Sequence, residues 1–203
     1  DRLTVAGASA KIVSACVGEL VAASFNGTIL VAANPVDVMS LVALRCSGFA
    51  SSRVIGTGTL LDTSRLRNDL ALDLGVAPTA IDALVLGEHG DSEVIAFSTL
   101  RIGGLSLDRW IGNAGEPDQT DLARRVREAA YAIIAGKGYT SFGIATAIVR
   151  ICEAIVRDEH AVLPVSTLMT GQFGLNDVYL SLPCILGSNG IERVLVPELS
   201  QDE

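Results

Sequence analysis

Helical and strand-like hydrophobic patterns alternate through the first quarter of the chain. Residues 3–25 carry apolar side chains at helical spacing, and Asn26-Gly27 interrupts that pattern. Residues 28–33 form a continuous apolar run, which is typical of a strand buried on both faces and therefore of a parallel sheet. Helical spacing returns over residues 37–44. The alternation predicts part of a parallel α/β domain over residues 1–50.

Shorter apolar runs separated by glycine turns follow. A short strand ending near Ile55 enters a loop with two glycines, and a helix is predicted over residues 62–74. Residues 83–86 predict a buried strand, and residues 94–102 predict another strand. This segment belongs to a second unit, which we place at residues 51–203.

The last third begins with helical patterns and ends with strands. A long helix is predicted over about residues 121–135, and Tyr139-Thr140-Ser141 opens the next one. The predicted strands are residues 161–168, 178–186 and 194–197. Because short glycine-containing turns join them, they are expected to be antiparallel. The predicted fold class is α/β, with the remainder of a parallel-sheet domain followed by a mixed α+β domain.

Composition narrows the possible partners. The formal net charge of -8 argues against nucleic acid or an anionic membrane, since both require a basic face. No apolar run is long enough to span a membrane. The four cysteines have no metal-ligand spacing and are interpreted as small buried side chains in a reducing compartment, so we expect a cytoplasmic protein.

Both ends of the sequence resemble interruptions of longer elements. Asp1 leads directly into a helical pattern, and Ser200-Gln201-Asp202-Glu203 has the form of a capping box that opens a helix. We therefore expect further residues at each terminus.

Three polar side chains have the chemistry of a small oxy-acid site. His89 follows the predicted strand 83–86 and lies between glycines and carboxylates, where a histidine can transfer a proton at neutral pH. Asp62 and Arg65 are three residues apart, which places both on one side of a helix. An arginine binds a carboxylate through two parallel hydrogen bonds. Taken alone, each feature also fits a surface turn or an ordinary salt bridge.

Four separated motifs strengthen the catalytic interpretation. In chain order they are Asn34-Pro35-Val36-Asp37, Leu61-Asp62-Thr63-Ser64-Arg65, Gly87-Glu88-His89-Gly90-Asp91-Ser92 and Lys137-Gly138-Tyr139-Thr140-Ser141. Together they resemble the L-lactate/malate dehydrogenase family, nearest within it to the L-lactate and L-2-hydroxyisocaproate dehydrogenases. The resemblance covers essentially all 203 residues and about the last two thirds of a family member, without its final helix.

The resemblance implies an NAD-dependent enzyme that transfers a hydride between NAD(H) and a small 2-hydroxy or 2-oxo monocarboxylic acid. Residues 1–50 would be the C-terminal part of the NAD-binding Rossmann domain, and residues 51–203 the catalytic domain. The implied catalytic residues are His89, Asp62 and Arg2. The implied substrate-binding residues are Arg65, Asn34, Arg2 and Thr140, and the implied cofactor-binding residues are Ala32, Ala33, Asn34 and Thr57. No metal is expected.

Two alternatives remain open at this stage. A malate dehydrogenase would differ by a second arginine in the loop that precedes Arg2 in the family, so the substrate is not fixed. A non-catalytic remnant or oligomerisation module would keep the fold without the reaction. The resemblance also implies a homo-oligomer, either a dimer or a tetramer, and weak NAD binding by this stretch alone, since it contains no G-x-G-x-x-G fingerprint.

Overall fold

The computed structural model describes residues 2–90, 92–113 and 141–203. In that part of the chain there are five helices: α1 Arg2–Ala22, α2 Val36–Ser47, α3 Leu60–Leu74, α4 Leu107–Asn113 and α5 Ser141–Val156. Ten strands accompany them: β1 Ile29–Val31, β2 Val54–Gly56, β3 Ile81–Asp82, β4 Val85–Leu86, β5 Val94–Ile95, β6 Arg101–Ile102, β7 Leu105–Ser106, β8 Ala161–Thr170, β9 Asn176–Gly187 and β10 Gly190–Val194. The predicted helix over residues 121–135 lies outside the described residues.

The main sheet has five strands in the order β1-β2-β8-β9-β10. β1 and β2 are parallel, with Val31 opposite Gly56. β8 joins β2 through the antiparallel pair Gly56 and Ser166, and β8, β9 and β10 form an antiparallel meander. The predicted fold class is confirmed, and a single sheet contains both the parallel and the antiparallel strands. The division at residue 50 stays a prediction.

Three groups of buried side chains hold these elements together. One lies between α1, α2 and the first two strands, and includes Val17, Met39 and Val54. Another lies between α5 and the antiparallel strands, around Ile151 and Val165. The third packs α3 against the small strands. Since all three groups are dominated by aliphatic side chains, close packing of branched residues supplies most of the core.

Two predicted strands differ from the structure. Residues 94–102 do not form one strand, because a 3-10 turn at Phe97–Thr99 separates β5 from β6. That turn is fixed from elsewhere in the chain, since the Ser98 backbone N–H donates to Glu203 Oε1 at 3.0 Å. The final strand is Gly190–Val194 rather than 194–197, because β10 follows β9 through a tight turn.

The cysteine prediction was wrong for three of the four residues. Cys16, Cys46 and Cys152 are exposed, and Cys184 is buried; all four are free thiols. Burial raises the pKa of Cys184 to about 12, so this thiol is unreactive. The exposed cysteines lie on helices, where an apolar sequence neighbourhood does not decide which face carries them.

None of the helices in the described ranges combines the length and the apolar character that crossing a membrane requires.

Candidate active site

His89 and Asp62 form the central pair of the site. The Nδ1 atom of His89 lies 2.6 Å from Oδ2 of Asp62. The Asp62 side chain is 2% exposed and that of His89 is 23% exposed. Because a buried carboxylate accepts the hydrogen on Nδ1, the ring is held in one tautomer and Nε2 remains to exchange a proton with a ligand.

Two threonines place the start of α3 beside the strand that leads to His89. Thr59 Oγ1 donates to the Val85 carbonyl at 2.5 Å, and the Val85 N–H donates to Thr63 Oγ1 at 2.9 Å. Both threonines are buried, so these bonds form away from competing water. They fix β4 on the first turn of α3, which is also the turn that carries Asp62.

The histidine loop, defined here as residues 87–90, is anchored on β9. The Gly87 N–H donates to the Ser181 carbonyl at 3.0 Å, and the Ser181 N–H donates back to Gly87 at 2.8 Å. Gly87 has a φ of +84°, a conformation that side chains other than glycine rarely adopt. The chain can therefore turn sharply after β4 and present His89 toward α3.

Arg65 lies one turn after Asp62 on the same face of α3, as its spacing predicted. Its Nη1 atom is 3.8 Å from Asp62 Oδ1, and the side chain is partly exposed. The contact is long for a hydrogen bond, so it is an electrostatic contact rather than a fork-to-carboxylate pair. A guanidinium held at the edge of the site can bind the carboxylate of a small acid.

Asp37 is a buried carboxylate that the sequence reasoning did not assign to the site. Its Oδ2 atom accepts the backbone N–H of His89 at 2.9 Å, and its Oδ1 atom accepts the hydroxyl of Ser166 at 2.5 Å. Burial raises the pKa of Asp37, while the hydrogen bonds from Ser166 and His89 act in the opposite direction. Asp37 ends the motif Asn34-Pro35-Val36-Asp37, but an aspartate in the first turn of a helix is common for local reasons, so the motif does not predict these contacts.

The expected cofactor side lies at the carboxyl ends of β1 and β2. The Thr57 N–H donates to the Val31 carbonyl at 2.9 Å, which places Thr57 beside the segment that contains Ala32 and Ala33. Thr57 is buried, Ala32 is half-buried, and Ala33 and Asn34 are exposed. The carboxyl end of parallel strands is the edge at which open α/β sheets bind their ligands.

Two residues of the predicted site have no described side chain. Arg2 begins α1, but its side chain is not described, and Thr140 lies outside the described residues. Their assignments stay predictions.

Two groups of side chains in the described ranges have metal-capable atoms within 4.8 Å of one another. They are Asp62, His89 and Glu93, and Asp158, His160 and Glu192. In the first group the hydrogen bond to Asp62 already occupies Nδ1 of His89. The second is an exposed group in which His160 Nε2 lies 3.3 Å from Glu192 Oε2. His160 is exposed on the surface.

An apolar cavity of about 410 Å³ lies beside the histidine loop. Its wall is formed by Leu86 and Gly87, by apolar side chains of β8 and β9, and by Leu199 and Glu203 near the end of the chain. His89, Asp62 and Arg65 are not among its lining residues. The cavity therefore lies behind the loop rather than over the reacting groups.

Two family models together match almost the whole chain. The model for the lactate/malate dehydrogenase NAD-binding domain matches residues 1–56, and the model for the lactate/malate dehydrogenase alpha/beta C-terminal domain matches residues 59–203.

Curated relatives and solved structures of this family cover the same stretch. L-lactate dehydrogenase 2 of Lactiplantibacillus plantarum is 43% identical over all of this chain, and L-lactate dehydrogenase of Lacticaseibacillus casei is 42% identical. The chain spans 65% and 63% of the lengths of these two relatives.

A minor L-lactate dehydrogenase from Enterococcus mundtii, solved without ligands, superposes with a TM-score of 0.82 at 40% identity, over 96% of this chain and 63% of that one. A lactate dehydrogenase from a Medee basin deep-sea metagenome library gives a TM-score of 0.85 at 39% identity, over 95% of this chain and 63% of that one. The chain therefore belongs to the lactate/malate dehydrogenase family.

Proposed function

We propose that this chain carries the proton-transfer and carboxylate-binding groups of an NAD-dependent L-2-hydroxy-acid dehydrogenase. The single observation that carries the proposal is the 2.6 Å contact between His89 Nδ1 and the buried Asp62 carboxylate, with Arg65 one helical turn away. The proposed substrates are L-lactate and pyruvate or a branched analogue.

In the proposed reaction His89 is the general acid and base for the substrate oxygen. Asp62 accepts the Nδ1 hydrogen and stabilises the imidazolium, so Nε2 gives its proton to the keto oxygen during reduction and takes it back during oxidation. Arg65 binds the substrate carboxylate, which orients the neighbouring carbonyl toward His89. Arg2 would polarise that carbonyl, and Thr140 would line the pocket.

The residues at the strand ends fit a nicotinamide cofactor. Exposed Ala33 and Asn34 leave the carboxyl end of β1 open, and small side chains there allow a flat ring to approach the backbone. Ala32, Ala33, Asn34 and Thr57 are the residues that we assign to cofactor binding. When bound, the reduced cofactor supplies the hydride for the reduction of the 2-oxo acid. The match of residues 1–56 to an NAD-binding domain supports this assignment.

The relatives favour a monocarboxylate over malate. Both curated relatives described above are named L-lactate dehydrogenases, and both solved structures are lactate dehydrogenases. Malate would require a further cation for its second carboxylate, because an unpaired carboxylate is costly to bury. Arg65 is the substrate-binding cation that we assign among the described side chains.

Steady-state kinetics of the full-length gene product tests the proposal. Reduction of pyruvate by NADH should fall by about 10² to 10⁴-fold in kcat in His89→Asn, since general acid catalysis is lost. Arg65→Gln should mainly raise the KM for pyruvate. His160→Asn is the matched control, because His160 is exposed and contacts Glu192 rather than Asp62.

Three outcomes would contradict the proposal. Unchanged turnover in His89→Asn would remove the catalytic assignment. Faster reduction of oxaloacetate than of pyruvate would support the malate alternative. A folded protein that turns over no 2-oxo acid would support the non-catalytic alternative.

We also infer that the protein is a cytoplasmic homo-oligomer. Three exposed free thiols fit a reducing compartment. Large apolar side chains of α1, including Ile12, Leu20 and Val21, are exposed and fit a contact with a second copy of the chain.

A further inference from the structure

We propose that Asp37 is a positioning residue for the reaction, because its carboxylate fixes the main chain of His89 relative to the end of β1 and to β8. This inference rests on the proposed function, since it concerns the placement of the proposed proton donor. Asp37 itself is not placed in contact with substrate or cofactor.

The two oxygens of Asp37 connect segments that are far apart in sequence. Oδ2 accepts the His89 N–H, 52 residues away, and Oδ1 accepts the Ser166 hydroxyl, 129 residues away. Asp37 is 8% exposed as a residue, so its carboxylate is held largely out of water. A buried carboxylate without hydrogen-bond donors would destabilise the folded protein strongly. The folded chain therefore keeps the His89 N–H and the Ser166 hydroxyl at this carboxylate.

Because Asp37 lies in the first turn of α2, its contacts can connect the end of β1 with His89. α2 begins at Val36, immediately after Asn34 and Pro35, so Asp37 is three residues from the asparagine at the end of β1. The Met39 N–H donates to the Pro35 carbonyl at 2.9 Å, which makes this first turn continuous with the strand end. A restraint on Asp37 therefore holds the proposed cofactor edge and His89 in one framework.

The histidine loop needs this restraint because glycines lie on both sides of His89. Gly87 and Gly90 each lack a side chain that would limit backbone rotation. The Gly87–Ser181 pair fixes the entry to the loop, and Asp62 fixes the imidazole ring. The bond from the His89 N–H to Asp37 restrains the backbone between these two points, and with it the direction of Nε2.

The substrate-binding arginine lies outside this restraint. Arg65 belongs to α3, which is fixed to β4 by Thr59 and Thr63. Loss of the Asp37 carboxylate should therefore misplace the proton donor while leaving carboxylate binding nearly intact. A positioning role predicts a loss in kcat with little change in KM, whereas a purely structural role would lower the amount of folded protein and leave both constants unchanged.

Four variants of the full-length gene product separate these possibilities. Asp37→Ala removes both acceptor atoms, and Asp37→Asn keeps an amide oxygen that can accept the His89 N–H. Ser166→Ala removes the hydrogen bond from the Ser166 hydroxyl to Asp37 and still tests the proposal if Asp37→Ala does not fold. Ser40→Ala is the control, because its buried hydroxyl donates to the Val36 carbonyl within α2.

Two measurements are made on each variant: steady-state reduction of pyruvate by NADH, and hydrogen exchange of the His89 amide. In Asp37→Ala, kcat should fall about 10 to 100-fold and KM should change by less than about threefold, as expected for a misplaced catalytic group. Exchange of the His89 amide should accelerate at least about tenfold, because its acceptor is gone. Asp37→Asn should restore kcat and the exchange rate of the His89 amide to near their wild-type values. Ser166→Ala should give values between those of Asp37→Ala and the wild type, and Ser40→Ala should match the wild type.

Unchanged exchange of the His89 amide in Asp37→Ala and in Ser166→Ala would overturn the proposal, and so would equal kcat losses in Asp37→Ala and Ser40→Ala. If the wild type reduces no 2-oxo acid, the proposed function fails, while the exchange measurement still decides whether Asp37 holds His89.

Discussion

Asp37 and Asp62 both lie in the first turn of a helix, are both buried and both contact His89. Asp62 could be predicted from the sequence because Arg65 follows it at helical spacing and because its motif resembles a known family. Asp37 also lies in one of the four motifs, but it was not assigned a role, because its partners are 52 and 129 residues away and only the folded chain brings them together. Local spacing reports contacts along a helix but not contacts between elements.

The ionisation of Asp37 should leave a measurable pH dependence of stability. Burial raises its pKa above 3.8, so the charged form is less favourable in the folded protein than in the unfolded chain. Its contribution to stability is fully present below pH 3.8 and is lost as the pH rises through the raised pKa. Asp37→Asn stays neutral, so its free energy of unfolding relative to wild type should rise as the pH increases from 3.8 through the raised pKa of Asp37.

Urea unfolding at several pH values measures this difference. Asp202→Asn is the control, because Asp202 is exposed near the end of the chain. If the pH profile of the unfolding free energy for Asp37→Asn matches that of the control, the folded protein stabilises the charged carboxylate of Asp37 as well as water does.

At the scale of elements, Gly58 shows that a glycine pair can serve packing rather than phosphate binding. A Cβ at Gly58 would lie 2.5 Å from the Ser166 backbone nitrogen and 2.6 Å from Ser181 Oγ, and its φ is +55°. The connection between β2 and α3 therefore passes directly against β8 and β9. The sequence indicated a turn here, but this close approach depends on strands more than 100 residues later.

Gly58→Ala should destabilise the protein more than Gly103→Ala does. Gly103 has nearly the same φ, +56°, but a Cβ there would have no neighbour within 4 Å. The left-handed conformation alone should cost about 1–2 kcal/mol in both variants. Overpacking against β8 should add about 1–3 kcal/mol at Gly58. Equal losses in thermal or urea unfolding would show that the β2–α3 connection moves away from β8 without penalty.

Long helices and strands were predicted more accurately than short segments. α1, α2, α3 and the long strands β8 and β9 were predicted to within a few residues, because their length gives a clear hydrophobic period. The segment 94–102 was predicted as one strand, although its 3-10 turn is held by Glu203, a residue outside any local window. Short segments follow their tertiary contacts rather than their own pattern.

At the scale of the whole molecule, one sheet joins the two matched regions. β1 and β2 lie in the region matched by the NAD-binding model, while β8, β9 and β10 lie in the region matched by the C-terminal model. Gly56 opposite Ser166 is the register pair between them, and Asp37 bonds to the same serine. The proposed cofactor edge and the proposed proton donor are therefore connected through β8.

The outer face of α1 gives the prediction for assembly. Val13 and Val17 pack toward α2, and Leu20 and Val21 lie at the borders of this packed side. Ile12 lies on the side of α1 that faces away from them and is 65% exposed. A large apolar side chain that is exposed on the side of a helix away from its packed residues fits a second copy of the chain better than solvent. Ile12→Glu should shift the protein toward smaller species in sedimentation velocity, with folding unchanged.

Leu72→Glu provides the matched control for this experiment, because Leu72 is 76% exposed on α3 and the substitution is the same. A charge at position 72 should leave the sedimentation profile unchanged, whereas a charge at position 12 places a carboxylate within an apolar contact, where it has no partner and loses its hydration. If both variants sediment like the wild type, α1 is not a subunit contact. If both dissociate, the effect follows from added negative charge on a chain with a net charge of -8, rather than from loss of an apolar interface.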